Sequence, residues 1–316
     1  MSMKNKLLTT LILSSSALTI TSMINHCIKL SATSKNKSEK KDNHFFHWRL
    51  GDIFYKKYGT GKPILLIHDI HASSNSYQWD LIISSLSKVY TVYTIDLLGC
   101  GQSEKPYLTY TNYLYVQLIS DFIKSEIGHR TNVIAVGNSG NFVTMACSNS
   151  PELFNRIILV NPDSILTCAQ TPGRYTKFYK EFLDLPIIGT LLYHIAVSKK
   201  SLRKFAKEYA FYNPHLIKKS YIDTCYENAH LGLSPKSIYA SVHCNYTNCN
   251  IITSLKKIDN SIYLIGGSDL YLEEELLKEY LSYNSAIEYT LIHETKYYPH
   301  MEKPNEFLST VFLFLS

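Results

Sequence analysis

Five short runs of nearly unbroken apolar residues constrain this chain more than any other feature. They are PILLIH (63–68), YTVYTID (90–96), NVIAV (132–136), RIILVN (156–161) and SIYLIGG (261–267). None shows the polar–apolar alternation of a strand with one wet face, so each reads as a strand buried on both sides. Helical patterns separate most of them. Strands of this kind alternating with helices require a mostly parallel sheet with helices packed on both faces.

The remaining segments fit around that sheet. Residues 44–62 read as two short strands around Gly51, ending in a turn before Pro63. A helical stretch covers about 75–88. Residues 113–127 form an amphipathic helix in which Tyr115, Ile119, Ile123 and Ile127 recur every four positions. From 162 to 257 the alternation stops, and the pattern is helical and rich in Tyr, Phe, Leu and Ile. Strand and helix then return, with a helix over 272–283, the strand AIEYTLIH (286–293) and a last helix from about Pro304. The organisation is therefore a targeting segment with a polar linker (1–43), a first core part (44–161), a helical insertion (162–257) and a second core part (258–316).

The net charge of +6 is concentrated at one end. Residues 1–43 hold seven Lys and two acids, which is +5, so the rest of the chain is close to +1. A body so nearly neutral speaks against nucleic-acid binding. Lys4 and Lys6 precede eighteen uncharged residues (7–24), eight of them Ser or Thr, and a Lys-rich polar stretch (31–43) follows. This reads as a membrane anchor, with cleavage as a secretory signal the alternative; lysines on both sides leave the sidedness open. The seven cysteines are scattered and odd in number, and no C-x-x-C occurs, which points to free thiols rather than to a disulfide framework or a zinc site. No motif calls for a cofactor or a metal.

Three motifs carry chemistry in order along the chain. KPILLIHDIHASSNSYQW (62–79) has an apolar run followed by His68. YTVYTIDLLGCGQSEKP (90–106) has the spacing D-x-x-G-x-G-x-S-x-x-P. YPHMEKPNEF (298–307) precedes the last helix. Together with the element order, they resemble the α/β-hydrolase fold, and within it the capped branch that includes esterases, haloalkane dehalogenases and epoxide hydrolases. The resemblance covers about residues 45–316 and implies a helical cap, here 162–257, roofing an apolar pocket for a small apolar ligand or substrate.

The resemblance also implies site residues. VIAVGNSGNFV (133–143) sits where the family has a serine on a strained strand-to-helix turn, G-x-S-x-G, making Ser139 the expected nucleophile and Asn141 a departure from the second glycine. Ser139 to Pro151 is twelve positions (151 − 139), about two fewer than usual between the elbow and the helix-ending proline. The oxyanion donors would be the backbone N–H groups of Ile70 and Gly140. Asp69 stands in place of the first loop's glycine, and its carboxylate would oppose an oxyanion if it pointed inward. Asp269, three residues after Gly266, is the expected orienting acid, with Asp163 a less favoured position. The catalytic histidine's position is held by Tyr297, whose phenol is protonated at neutral pH and cannot act as base. His300 or His71 would have to substitute. A serine nucleophile points to acyl transfer, on small esters or amides, rather than to the reactions of the Asp-dependent relatives. The alternative is a non-catalytic protein of the same fold that binds an apolar ligand or a protein partner.

Overall fold

The computed structural model describes residues 3–34, 43–271 and 273–316. Most of the linker (35–42) and Leu272 lie outside the described residues. Eight strands form one sheet in the order β1-β2-β4-β3-β5-β6-β7-β8. These are β1 (His44–Trp48), β2 (Gly51–Tyr58), β3 (Lys62–Ile67), β4 (Tyr90–Ile95), β5 (Thr131–Val136), β6 (Phe154–Val160), β7 (Ile262–Gly267) and β8 (Glu288–Ile292). β1 and β2 form a hairpin, and β2 runs antiparallel to β4. Every pairing from β4 to β8 is parallel.

The apolar runs are the central strands, and their two-residue period splits the core between the two faces. Leu65, Ile67, Val133, Ala135, Ile157 and Leu159 point to one side. Ile64, Leu66, Ile134, Val136, Ile158 and Val160 point to the other. The first side is covered by α3 (Asn112–Phe122), α4 (Ser139–Asn149) and α12 (Glu273–Tyr283), through Tyr115, Phe122, Phe142 and Leu277. The second is covered by α2 (Asp80–Leu86) and α14 (Pro304–Leu315), which contribute Ile82, Leu86, Phe307 and Val311. The amphipathic helix predicted over 113–127 runs as α3, then one π turn (Ile123–Ile127), and stops at Gly128 in the left-handed conformation. The helix predicted over 75–88 opens as a 3₁₀ turn (Ser76–Trp79), because the Asn75 side chain caps Tyr77 N–H.

Between β6 and β7 lie seven helices: α5 (Ile165–Cys168), α6 (Arg174–Asp184), α7 (Ile188–Ala196), α8 (Lys199–Phe205), α9 (Lys219–Asn228), α10 (Pro235–His243) and α11 (Ile252–Lys257). The chain begins with α1 (Met3–Thr33), whose stretch Thr10–Thr33 is long and apolar enough to cross a membrane by length and composition. Its C-terminal part rests on the helical insertion. Asn25 Nδ2 donates to the Ile187 carbonyl at 3.0 Å, and Lys29 Nζ donates to the Gly232 carbonyl at 2.9 Å. All seven cysteines are free thiols, with Cys27 exposed and the other six buried.

Candidate functional site

The site lies at the C-terminal ends of β3, β5 and β6, where three loops converge. The first loop follows β3. His68 is fully buried there, and its Nε2 accepts from Leu97 N–H at 3.0 Å. That nitrogen is therefore bare, and Nδ1 donates to the Asp69 carbonyl at 2.6 Å. Burial pushes the His68 pKa down, in keeping with a neutral ring that fixes the loop.

The second loop is the strand-to-helix turn. Its left-handed residue is Gly137, at φ +57°, two residues before Ser139. In this fold the strained residue of that turn is the one whose side chain projects into the cleft. Gly137 has no side chain to project, and nothing larger fits: an added Cβ would overlap the Tyr297 hydroxyl and lie 2.6 Å from Asp69 Oδ1. Ser139, expected as the nucleophile, is instead the first residue of α4. It is fully buried, and its hydroxyl donates back to the His68 carbonyl at 2.6 Å. The reason for the displacement is register. Gly137 to Pro151 is fourteen positions (151 − 137), which restores the two residues missing from the count that began at Ser139.

The N–H groups expected as oxyanion donors are both engaged within the chain. Gly140 N–H is used within the turn, on the Gly137 carbonyl at 3.0 Å. The N–H following the strained residue belongs to Asn138, and it donates to Asp69 Oδ1 at 3.0 Å. Ile70 N–H, expected as the other donor, reaches that same oxygen at 2.7 Å. The N–H groups of Ile70 and Asn138 are thus both occupied by a carboxylate of the chain itself. The Tyr297 hydroxyl completes the arrangement by donating to Asp69 Oδ2 at 2.9 Å. Burial raises the Asp69 carboxyl above its ordinary range, and the three donors pull it part of the way back. Tyr297 is held well above 10, first by burial and then by the charges of Asp69 and Asp163, so it stays protonated and donates.

A family model described as the alpha/beta hydrolase family matches residues 64–309, more than three quarters of the chain. The chain belongs to that family. An uncharacterised protein of Mycobacterium tuberculosis is 32% identical over 107 residues, which is 34% of this chain and 31% of the relative. A 2-hydroxy-6-oxo-6-(2'-aminophenyl)hexa-2,4-dienoic acid hydrolase of Metapseudomonas resinovorans is 34% identical over 109 residues, 34% of this chain and 37% of the relative. The matches span about a third of the length of these curated relatives. Solved structures agree in fold over far more. A serine hydrolase involved in carbazole degradation superposes with a TM-score of 0.70 at 18% identity, covering 86% of this chain and 98% of that one. The Bacillus subtilis carboxylesterase CesB superposes with a TM-score of 0.69 at 12% identity, covering 93% and 98%.

Against the pattern of this hydrolase family, two more expected residues fall away from the site. Asp269 is exposed; its carboxylate accepts from Ser268 Oγ at 2.8 Å, and its N–H donates to the Thr295 carbonyl, so it does not reach Tyr297. His300 lies on the short helix α13 (Pro299–Glu302), which turns it into the core. There it is fully buried and stacked on Trp79, with ring centroids 4.5 Å apart, and both ring nitrogens lack a partner. Burial drops its pKa to about 3, so it cannot serve as a base at neutral pH. His71 does line the site. Its Nδ1 bonds Ser73 Oγ at 2.9 Å, its ring stacks on Phe205, and burial lowers its pKa to about 4.

Asp163, the less favoured acid, is the one whose charge reaches Asp69 and Tyr297. Burial, with Asp69 beside it, raises its pKa to about 7. Glu273 follows the same logic against Asp163 and rises to about 8. Asn141, in place of the second glycine, fits because its amide turns inward, where Nδ2 meets Asn138 Oδ1 at 3.0 Å and Cys168 Sγ at 2.9 Å. The cavity beside Asp69, His71, Asn75, Phe205 and Tyr298 is about 50 Å³. That is room for a few waters, against roughly 300–1,000 Å³ in ordinary ligand pockets.

Proposed function

We propose that this member of the alpha/beta hydrolase family is a non-hydrolytic protein tethered to a membrane by α1, which meets its partners through its surface rather than its cleft. The observation that carries this reading is the Asp69 carboxylate seated on the N–H groups of Ile70 and Asn138. Acyl transfer in this fold needs those donors free for a developing oxyanion, a nucleophile on the strained turn and a base within reach. Here the donors hold an anion, the turn carries Gly137, and the base's position carries a phenol bonded to the same anion. The small cavity supports the same reading, since an apolar ligand of ordinary size does not fit into the cleft beside Asp69 and His71.

The tether rests on the length and apolar character of α1 and on the exposure of residues 10–20 and 22–24. A solved structure described as a membrane phospholipase A, 16% identical with a TM-score of 0.67, is matched over 98% of its length by 99% of this chain.

A fluorophosphonate probe tests the reading. The native full-length chain is expected to remain unlabelled at any pH at which it is folded. The triple substitution Asp69→Gly, Gly137→Ser, Tyr297→His is expected to gain labelling. Labelling of the native chain that disappears in Ser139→Ala would overturn the proposal and restore Ser139 as nucleophile.

A further inference from the structure

The helix α6 is amphipathic in the wrong direction for a helix that serves a core. Among its residues only Leu183 is buried. Tyr175, Phe178, Tyr179 and Phe182, one face at spacing i, i+3, i+4 and i+7, are all exposed, Tyr175 by 89% and Phe178 by 71%. The next helix, α7, repeats the pattern with exposed Ile188, Leu192 and Ile195, and Leu185 in the connecting turn is exposed as well. Exposed apolar side chains concentrated on two consecutive helices mark an interaction surface.

The position of α1 identifies the partner. Asn25 is bonded to the carbonyl of Ile187, the residue that caps the start of α7. The free apolar part of α1 therefore leaves the protein beside the α6–α7 turn, where Leu185 and Ile188 are exposed. If residues 7–24 cross the hydrocarbon, that turn stands at the surface of the bilayer they enter. Charge supports the same partner. Residues 174–207 contain eight Lys or Arg and two acids, +6, although the body as a whole from residue 44 is only +1. Lys200, Arg203, Lys204 and Lys207 are exposed along α8 and the turn after it, at the same i, i+3, i+4, i+7 spacing. Arg174 and Lys177 lie exposed among the aromatics of α6. Bases interleaved with aromatic and aliphatic side chains on an exposed helix face are the composition of an interfacial helix on an anionic membrane.

We infer that the α6–α7 face of the cap, flanked by the bases of α8, lies in the headgroup layer of an anionic bilayer and holds the cap against the membrane that α1 enters. This inference rests on the tether proposed above and not on the absence of hydrolysis.

The test uses the full-length protein, one copy per nanodisc, with bilayers of phosphatidylcholine and phosphatidylglycerol carrying brominated acyl chains. Both native tryptophans, Trp48 and Trp79, are buried, so a new surface tryptophan reports its own surroundings. Phe178→Trp and Ile195→Trp are expected to lose about half their emission to the bromines, while Tyr113→Trp, equally exposed on α3, loses little. Replacing phosphatidylglycerol by phosphatidylcholine, or introducing Lys200→Glu, Arg203→Glu and Lys204→Glu together, is expected to weaken that quenching. Equal emission from Phe178→Trp and Tyr113→Trp overturns the inference, as does a change at Phe178→Trp that requires two copies per disc. Leu13→Trp separates the two readings: quenched at Leu13 but not at Phe178, the tether stands and the cap docking fails.

Discussion

The Tyr297 hydroxyl and the Asp69 carboxylate, 228 positions apart in sequence, are 2.9 Å apart in the site, both half-buried. This bond joins the loop before the last helices to the loop after β3, and it closes the space above Gly137 from both sides. The arrangement is rigid because each partner is held elsewhere: Tyr297 N–H by the Ala210 carbonyl, and Asp69 by Ile70 and Asn138.

Tyr297→Phe leaves the half-buried Asp69 carboxylate with two donors in place of three. A hydrogen bond to a charged group contributes about 1.5–3 kcal/mol. Urea unfolding is expected to show that loss as a lower midpoint at unchanged slope, and an unmoved midpoint would mean the bond contributes nothing.

Gly137→Ala forces a side chain into left-handed backbone and into the Tyr297 hydroxyl at once. The combined cost is about 2–4 kcal/mol. Tyr297→Phe removes the overlapping oxygen, so the two substitutions together are expected to cost less than their sum. A double-mutant cycle that comes out additive would contradict the overlap.

Asp163 and Glu273 set a pH dependence. Their pKa values rise on folding, from 3.8 to about 7 and from 4.5 to about 8, first because of burial. A raised carboxyl favours the protonated form in the fold, so its contribution is fully present below the unfolded value and is lost as pH climbs through 7 to 8. Thermal stability is expected to fall between pH 5 and pH 8.5, and Asp163→Asn to flatten that fall. A Tm that is level over this range in the native chain would contradict the assignment.

His300 works in the opposite sense. Its pKa falls from 6.5 to about 3 through burial, so the neutral ring's contribution is present above 6.5 and is lost progressively as pH drops toward 3. With both nitrogens unpartnered against Trp79 and Phe307, His300→Phe keeps the packing and removes the polar atoms. We expect the variant to be at least as stable as the native chain at pH 7.5 and to exceed it further at pH 5, read as Tm at the two pH values.

The fold was legible because its evidence is repeated. Each apolar run is independent testimony to a doubly buried strand, and an error in one is corrected by the others. The site was only partly legible. Tyr297 at the histidine's position, and Asp69 as a carboxylate facing the oxyanion donors, follow from single positions in motifs of fixed spacing. Motif matching favoured Ser139 because a serine fits the pattern in residue type, whereas the left-handed residue of the turn is Gly137, two positions earlier. The signal that pointed to it was the short count to Pro151. The placements of Asp269 and His300 depend on which way a loop turns its side chains, and spacing carries no information about that.

The interlock at Gly137 also limits how such a chain can change. A serine introduced at 137 alone collides with two neighbours. A histidine at 297 alone would find no hydroxyl to deprotonate, and a glycine at 69 alone would open an oxyanion hole above a bare turn. In the non-hydrolytic reading proposed above, no single replacement is rewarded with activity; activity would return only through three simultaneous changes, and the elbow would behave as a ratchet.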